Sequence, residues 1–176
     1  MKNTISIDDI SIRTELRHGD IGSILSMHGR LYYQEYGYTL PFEMYVAQSL
    51  AEFIEKYNPK RNRIWIWICE HRRSSPADND CMIGSLVLMD RGQAAQLRYF
   101  LFEPEYRGMG LGRKLMDYFM DFLRSCNYKS SYLWTTEQQV TAAKVYKRYG
   151  YALTEEKPST VFGVPLTQQL YDLILS

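Results

Sequence analysis

Apolar and polar residues alternate along Ile10–Leu16, which predicts a first strand, and the pattern then changes period. Ile21, Ile24, Leu25, His28, Leu31, Tyr32 and Glu35 fall on one side of a helix of about residues 21–36, with Asp20 as its N-cap. A second helix is expected after Pro41, running to about Tyr57, where Asn58-Pro59 stops it. Ile64–Glu70 is the strongest strand signal in the chain, Arg72–Asp80 reads as a polar turn, and Cys81–Met89 returns as a strand. Arg91-Gly92-Gln93 turns the chain into a strand at 97–103. A helix at 112–126 follows, with Leu115, Phe119, Leu123 and Cys126 on one face. Residues 131–136 form another strand around a buried Leu133-Trp134-Thr135, and the next helix carries Val140, Ala143, Tyr146 and Tyr149 in register before Gly150 in a C′ position. Tyr151–Glu155 and Leu166–Ile174 close the chain as strands. The order is β α α β β β α β α β β. It predicts an α/β (α+β mixed sheet) architecture: one twisted mixed sheet of about seven strands with helices on both faces. The segment 97–136 requires a parallel, right-handed β-α-β crossover.

The most informative stretch is Leu97–Arg113, where a strand runs into a loop with glycines at 108, 110 and 112 and a helix begins at once. That order makes a phosphate site, because a helix start offers unpaired N–H groups and a positive dipole end. Arg107 and Arg113 flank the loop and add charge for a phosphate ester. A nucleoside-triphosphatase loop would need Lys then Ser or Thr after its last glycine, whereas Gly112 is followed by Arg113 and Lys114. A dinucleotide fold would place G-x-G-x-x-G early in the chain with an acidic residue downstream, and here position 132 is Tyr. What remains is Arg-x-x-Gly-x-Gly, from Arg107 through Gly110 to Gly112.

This loop resembles the acyl-coenzyme A pyrophosphate loop of the Gcn5-related N-acetyltransferase (GNAT) superfamily. Ala142–Tyr151 is similar to the superfamily's A-x-x-L-Y-x-x-x-G-F signature, and Glu103-Pro104 stands where V-x-P closes the fourth strand. His28–Tyr32, Glu35-Tyr36-Gly37, Phe162-Gly163 and Gln169 resemble the acetyltransferase module that bacteria fuse behind a MarR-type winged helix, over nearly all of residues 10–175. Because the first residues run straight into a strand, no winged helix is expected ahead of it. The chain departs from the family at Gln139, where many members carry an Asn that contacts the pantetheine arm.

The resemblance implies acetyl-CoA as co-substrate, held by Gly108, Met109, Gly110, Leu111, Gly112 and the flanking arginines, with Gln139 along the arm. It implies that strands 97–103 and 131–136 splay apart to admit the pantetheine. It also implies that the Tyr146 hydroxyl points at the cofactor sulfur as proton donor. A phenol of pKa ~10 can donate to a thiolate whose thiol sits near ~8.5. Backbone N–H groups near Phe100, Leu101 and Phe102 are the expected donors to the oxyanion and the pantetheine, since a strand that stops pairing leaves them free.

Helix 1 roofs the acceptor site in this family. Glu35 and His28 share a helical face with Tyr32, so Glu35 is a candidate base or ammonium partner. The bland alternatives are a surface carboxylate for Glu35 and a hydrogen-bonded core ring for His28. Arg98, charged within an apolar strand, faces either solvent or a cleft, and in a cleft it would favour a carboxylate-bearing acceptor. Together with Glu35 it points toward a zwitterionic amine. Glu103 and Glu137 lie near strand ends as further base candidates, and Trp65 and Trp134 are expected in the core.

Length and composition bound these readings. A chain of 176 residues is expected as one domain spanning 1–176. A formal charge of +1 argues against a nucleic-acid partner. Cys69, Cys81 and Cys126 form no C-x-x-C pair, so no metal is expected and a reducing cytoplasm fits. Neither a signal peptide nor a membrane-length apolar run stands out. The 15 tyrosines read as packing, except near the glycine loop, where they can wall a pocket. The expectation is therefore a cytoplasmic N-acetyltransferase acting by direct attack of a small-molecule or peptide amine, with a homodimer left open. No Cys lies in the loop or in the second signature, which weakens a covalent route. The rival is a non-catalytic acyl-CoA sensor.

Overall fold

The computed structural model describes residues 9–69 and 81–175, so the expected turn at Arg72–Asp80 lies outside the described residues. The elements run β1 (Ile10–Arg13), α1 (Asp20–Tyr36), α2 (Leu40–Glu55), β2 (Arg63–Cys69), β3 (Met82–Arg91), β4 (Ala94–Phe102), a 3-10 turn (Pro104–Tyr106), α3 (Leu111–Ser125), β5 (Ser130–Thr136), α4 (Val140–Arg148), β6 (Ala152–Ser159) and β7 (Leu166–Ile174). They form one seven-stranded sheet in the order β1-β2-β3-β4-β5-β7-β6. All neighbours are antiparallel except β4 and β5, the parallel pair bridged by α3.

Strand alternation sorts the core into two layers. One face of β2–β4 sends Trp65, Leu86, Leu88 and Leu97 toward the α3 side, where Leu115, Phe119 and Leu123 are fully buried. The opposite face sends Ile64, Ile66, Val87 and Met89 under α1 and α2, against Ile24, Val46, Leu50 and Phe53. Glu52 on α2 is clamped by Arg91 at 2.6 and 3.1 Å, and that guanidinium holds its carboxyl down to about 2.

Four expectations change. Asp20 does not cap α1; Gly19 does, and Asp20 is buried with its carboxylate bonded to Arg13 at 2.8 and 3.0 Å and to the Arg17 N–H. That pair turns the chain inward, so β1 ends at Arg13 rather than Leu16. β4 starts at Ala94, because Arg91 and Ala94 pair directly across a tight turn at Gly92, where φ is +78°. β6 runs on to Ser159 as an edge strand exposed on nearly every residue, so its sequence shows no alternation to read.

Candidate active site

The β4–β5 ladder is short. It pairs Ala94 with Ser130, Ala95 with Ser131 and Gln96 with Tyr132, and there it stops, although β4 continues to Phe102 and β5 to Thr136. Beyond that point the two strands leave a gap through the sheet.

A bulge in β4 shapes the gap. Ser85 pairs with Leu101 and Val87 with Arg98, so Tyr99 and Phe100 together oppose Leu86. Tyr99 sits at φ +54°, a conformation that costs about 1–3 kcal/mol for a residue with a side chain. It is held there by the buried Ser85 hydroxyl, which donates to its C=O at 2.7 Å, and by its own hydroxyl bonding Ser49 at 2.7 Å. After the bulge, the Glu103 N–H bonds the Ile83 C=O at 2.9 Å, which makes Gly84 and Phe102 a non-hydrogen-bonded pair. The Phe102 N–H therefore points away from β3, into the gap. Its ring packs so closely on β3 that a Cβ on Gly84 would stand 2.3 Å from it.

At the rim of the gap, Gly110 caps α3 in the left-handed region at φ +82°. No side chain caps this helix, its first turn contains no acid, and its first intrahelical bond is Lys114 N–H to Gly110 C=O at 3.2 Å. The N–H groups of Leu111, Gly112 and Arg113 are thus left for an external acceptor. A Cβ on Gly108 or Gly110 would meet nothing within 4 Å, so the space beside the loop is open. Gly112 does something else: it lets the Phe100 ring lie against α3, 3.3 Å from where a Cβ would be. The Leu111 side chain is buried in the core, so it can offer a ligand only main-chain groups, while Met109 is partly buried against that core. A loop of free N–H groups with Arg113 and Lys114 beside it suits a pyrophosphate, and a strand gap suits an extended arm, so the residues present fit acetyl-CoA.

Between the splayed strands lies a cavity of about 290 Å³. Tyr146 projects to it from α4, with its ring 6.2 Å from Phe100. Its hydroxyl has no protein hydrogen-bond partner among the described residues, and burial first, then neighbouring Tyr32 and Tyr151, pushes the phenol far above its ordinary pKa. Gln139 also lines the cavity; its amide accepts from Thr135 and bonds the Tyr32 hydroxyl.

His28 lines the cavity with Nδ1 donating to the Ile24 C=O at 2.8 Å, stacked on Tyr32 and edge-on to Tyr99. Burial and then the Arg98 charge lower its pKa to about 4, the Ile24 bond offsetting part of this, so the ring is neutral at physiological pH. Arg98 faces the cavity, 5.1 Å from the Tyr45 and Tyr99 ring centres, and no described carboxylate pairs with it.

Two expectations are corrected together. Glu35 does not line the cavity, and both its oxygens bond the Arg107 guanidinium at 2.7 and 3.0 Å. Arg107 also donates Nε–H to the Phe102 C=O at 2.9 Å, so it ties the end of α1 to the end of β4 instead of standing free for a phosphate. The other base candidates are engaged as well: Glu103 with Arg30, and Glu137 with the Thr167 N–H. Trp65 is core, but Trp134 lines the cavity, with the Lys157 Nζ 4.3 Å from its ring centre.

Sequence reasoning missed the far wall. Tyr38, Phe42, Tyr45 and Phe162 pack ring against ring at 4.9–5.3 Å where the α1–α2 turn meets the β6–β7 turn. The Thr39 N–H bonds the Phe162 C=O at 3.0 Å, and Gly163 makes room for Thr39. Only the Phe162-Gly163 resemblance pointed there.

Residues 42–151 match the model of the Acetyltransferase (GNAT) family. An uncharacterized N-acetyltransferase of Schizosaccharomyces pombe is 26% identical over 126 residues, covering 70% of this chain and 72% of its own. Among solved structures, a GNAT-family acetyltransferase from Staphylococcus aureus superposes with a TM-score of 0.73 at 17% identity, over 95% of this chain and 99% of the other. Spermidine N-acetyltransferase from Vibrio cholerae, in complex with CoA and spermine, gives a TM-score of 0.65 at 16% identity, over 95% and 96%.

Proposed function

The chain belongs to the GNAT acetyltransferase family and is an acyl-CoA-dependent N-acetyltransferase, and from that premise we propose how its residues divide the work on a small-molecule amine. Acetyl-CoA supplies an acetyl group already activated as a thioester. The N–H groups of Leu111, Gly112 and Arg113 bind the pyrophosphate, and the gap beside Phe100–Phe102 takes the pantetheine, with Gln139 on its far side. The Phe102 N–H, directed into the gap, donates to carbonyl oxygen as negative charge builds there.

Tyr146 donates to sulfur. Burial alters the role expected from an ordinary phenol. With its pKa raised, Tyr146 stays neutral and is a weak proton donor, so it stabilises the leaving sulfur by hydrogen bonding rather than by outright transfer. The step balances with Tyr146 unchanged: the amine nitrogen forms the C–N bond, C–S breaks, and a proton lost by nitrogen ends on the thiol. Among the described residues no helix is long and apolar enough to cross a membrane. The free thiols of Cys69, Cys81 and Cys126 support placing the enzyme in the reducing cytoplasm.

The observation that carries the Tyr146 role is its partnerless hydroxyl at the cavity wall. Tyr146→Phe keeps the ring and deletes that hydroxyl, so kcat is expected to fall roughly 10²–10³-fold with CoA affinity within about twofold. Equal turnover in Tyr146→Phe would remove the role, and a wild type that binds CoA but turns over no amine would favour the acyl-CoA sensor.

A further inference from the structure

The cavity's charge is one-sided. Arg98 from β4 and Lys157 from β6 line it, and among the described residues no Asp or Glu does. Of the acids whose charge is felt at the cavity's tyrosines, Glu35 is paired with Arg107 and Glu52 with Arg91, while Glu137 bonds the neutral Thr167 N–H and keeps its charge on the Tyr38 side. His28 adds no negative charge, and the remaining wall is aromatic. A cationic acceptor would therefore enter a pocket whose described lining carries two cations and no carboxylate.

Resting on the proposed function, we infer that the acceptor is a small primary amine that carries a carboxylate and an apolar or aromatic side chain, an amino-acid-class molecule whose carboxylate Arg98 holds. The planar guanidinium offers a carboxylate two parallel N–H bonds. Arg98 is a specific choice for this because the bulge places it beside Tyr99 on the α1–α2 side of the sheet. The phosphate-fitting N–H groups belong to α3, on the other face, so the anion meeting Arg98 is the acceptor's and not that of CoA. The aromatic wall of Tyr45, Phe42 and Phe162 receives the side chain. A polyamine, by contrast, adds positive charge at every nitrogen.

The test compares matched pairs with acetyl-CoA, following thiol release. The probes are L-phenylalanine, L-tryptophan and L-methionine, each against its carboxamide, with spermidine as the polyamine and the other common amino acids as a panel. CoA affinity is measured in parallel by calorimetry. The acids are expected to exceed their amides in kcat/KM by about 10- to 100-fold, the worth of a charge-assisted hydrogen bond, with spermidine lower still. Arg98→Gln should reduce the acid–amide ratio to within about threefold, and Arg98→Lys should restore only part of it, with CoA affinity unchanged in both. Amides or spermidine used as well as the acids by wild type would overturn the inference, as would intact CoA binding with no turnover of any amino acid. Failure to bind CoA would instead strike the proposed function on which the inference rests.

Discussion

The loop half of the cleft, at Gly108–Arg113, presents main-chain N–H groups, whereas the acceptor half presents side chains drawn from α1, α2, β4, β6 and the β6–β7 turn. Main-chain donors need only a backbone path, so their sequence demand is glycine where φ turns positive and little else. Side-chain donors change with every substitution. A fold built this way can keep one donor site while its acceptor site changes, so the likeness to neighbours below 25% identity carries the architecture and not their substrates. The halves share one wall, β4, whose bulge sends Arg98 and Tyr99 to one side and Phe100 and Phe102 to the other.

The strongest way to break the comparison is to damage that shared wall. Gly84→Ala places a Cβ 2.3 Å from the Phe102 ring, so the ring must move or β3 and β4 must part. Overpacking of this kind costs about 1–3 kcal/mol, read by chemical denaturation. Because the Phe102 N–H is the proposed oxyanion donor and its strand walls the pantetheine gap, CoA affinity and amine turnover should fall together. Wild-type stability together with wild-type CoA binding would show that the halves do not depend on a common strand.

A narrower cut separates them. Gly110→Val keeps the space beside the loop open but forces a β-branched residue to φ +82°, where even ordinary residues pay about 1–2 kcal/mol. CoA should bind at least about tenfold more weakly in calorimetry, while the far aromatic wall is untouched. Unchanged affinity in a folded Gly110→Val would take the loop out of the site.

These two halves were also unequally legible. The loop half is contiguous in the chain, so strand, glycines and helix start could be read as one motif, and element order followed from hydrophobic period. The splay between β4 and β5 left no local signature, because it is the absence of pairing after Gln96 and Tyr132. The acceptor half is assembled from turns far apart in sequence. Phe162 meets Tyr38 and Phe42 only once the β6–β7 turn folds over the α1–α2 turn, and Lys157 lies on an edge strand with no pattern to mark it. Arg98 was visible as an anomaly, a charge in an apolar strand, but its direction depended on a bulge at Tyr99 that alternation cannot predict. Glu35 misled for the opposite reason. Helical spacing placed it correctly near Tyr32, but spacing is silent about a guanidinium arriving from the loop after β4.

The smallest expected effect sharpens that last point. Glu35→Gln keeps size and one hydrogen bond to Arg107 while removing the charge. The side chains are partly exposed, 26% for Glu35 and 38% for Arg107, and such a pair is worth about 0.2–1 kcal/mol. Melting should shift by only a few degrees, and the amine KM and kcat should stay within about twofold of wild type, because the carboxylate does not reach the cavity. CoA affinity should likewise change little, since Arg107 retains its bond to the Phe102 C=O. A hundredfold fall in kcat would mean that the Arg107 clamp opens during turnover and that Glu35 swings to the amine. The base would then return to α1, and the acceptor half would hold a carboxylate after all.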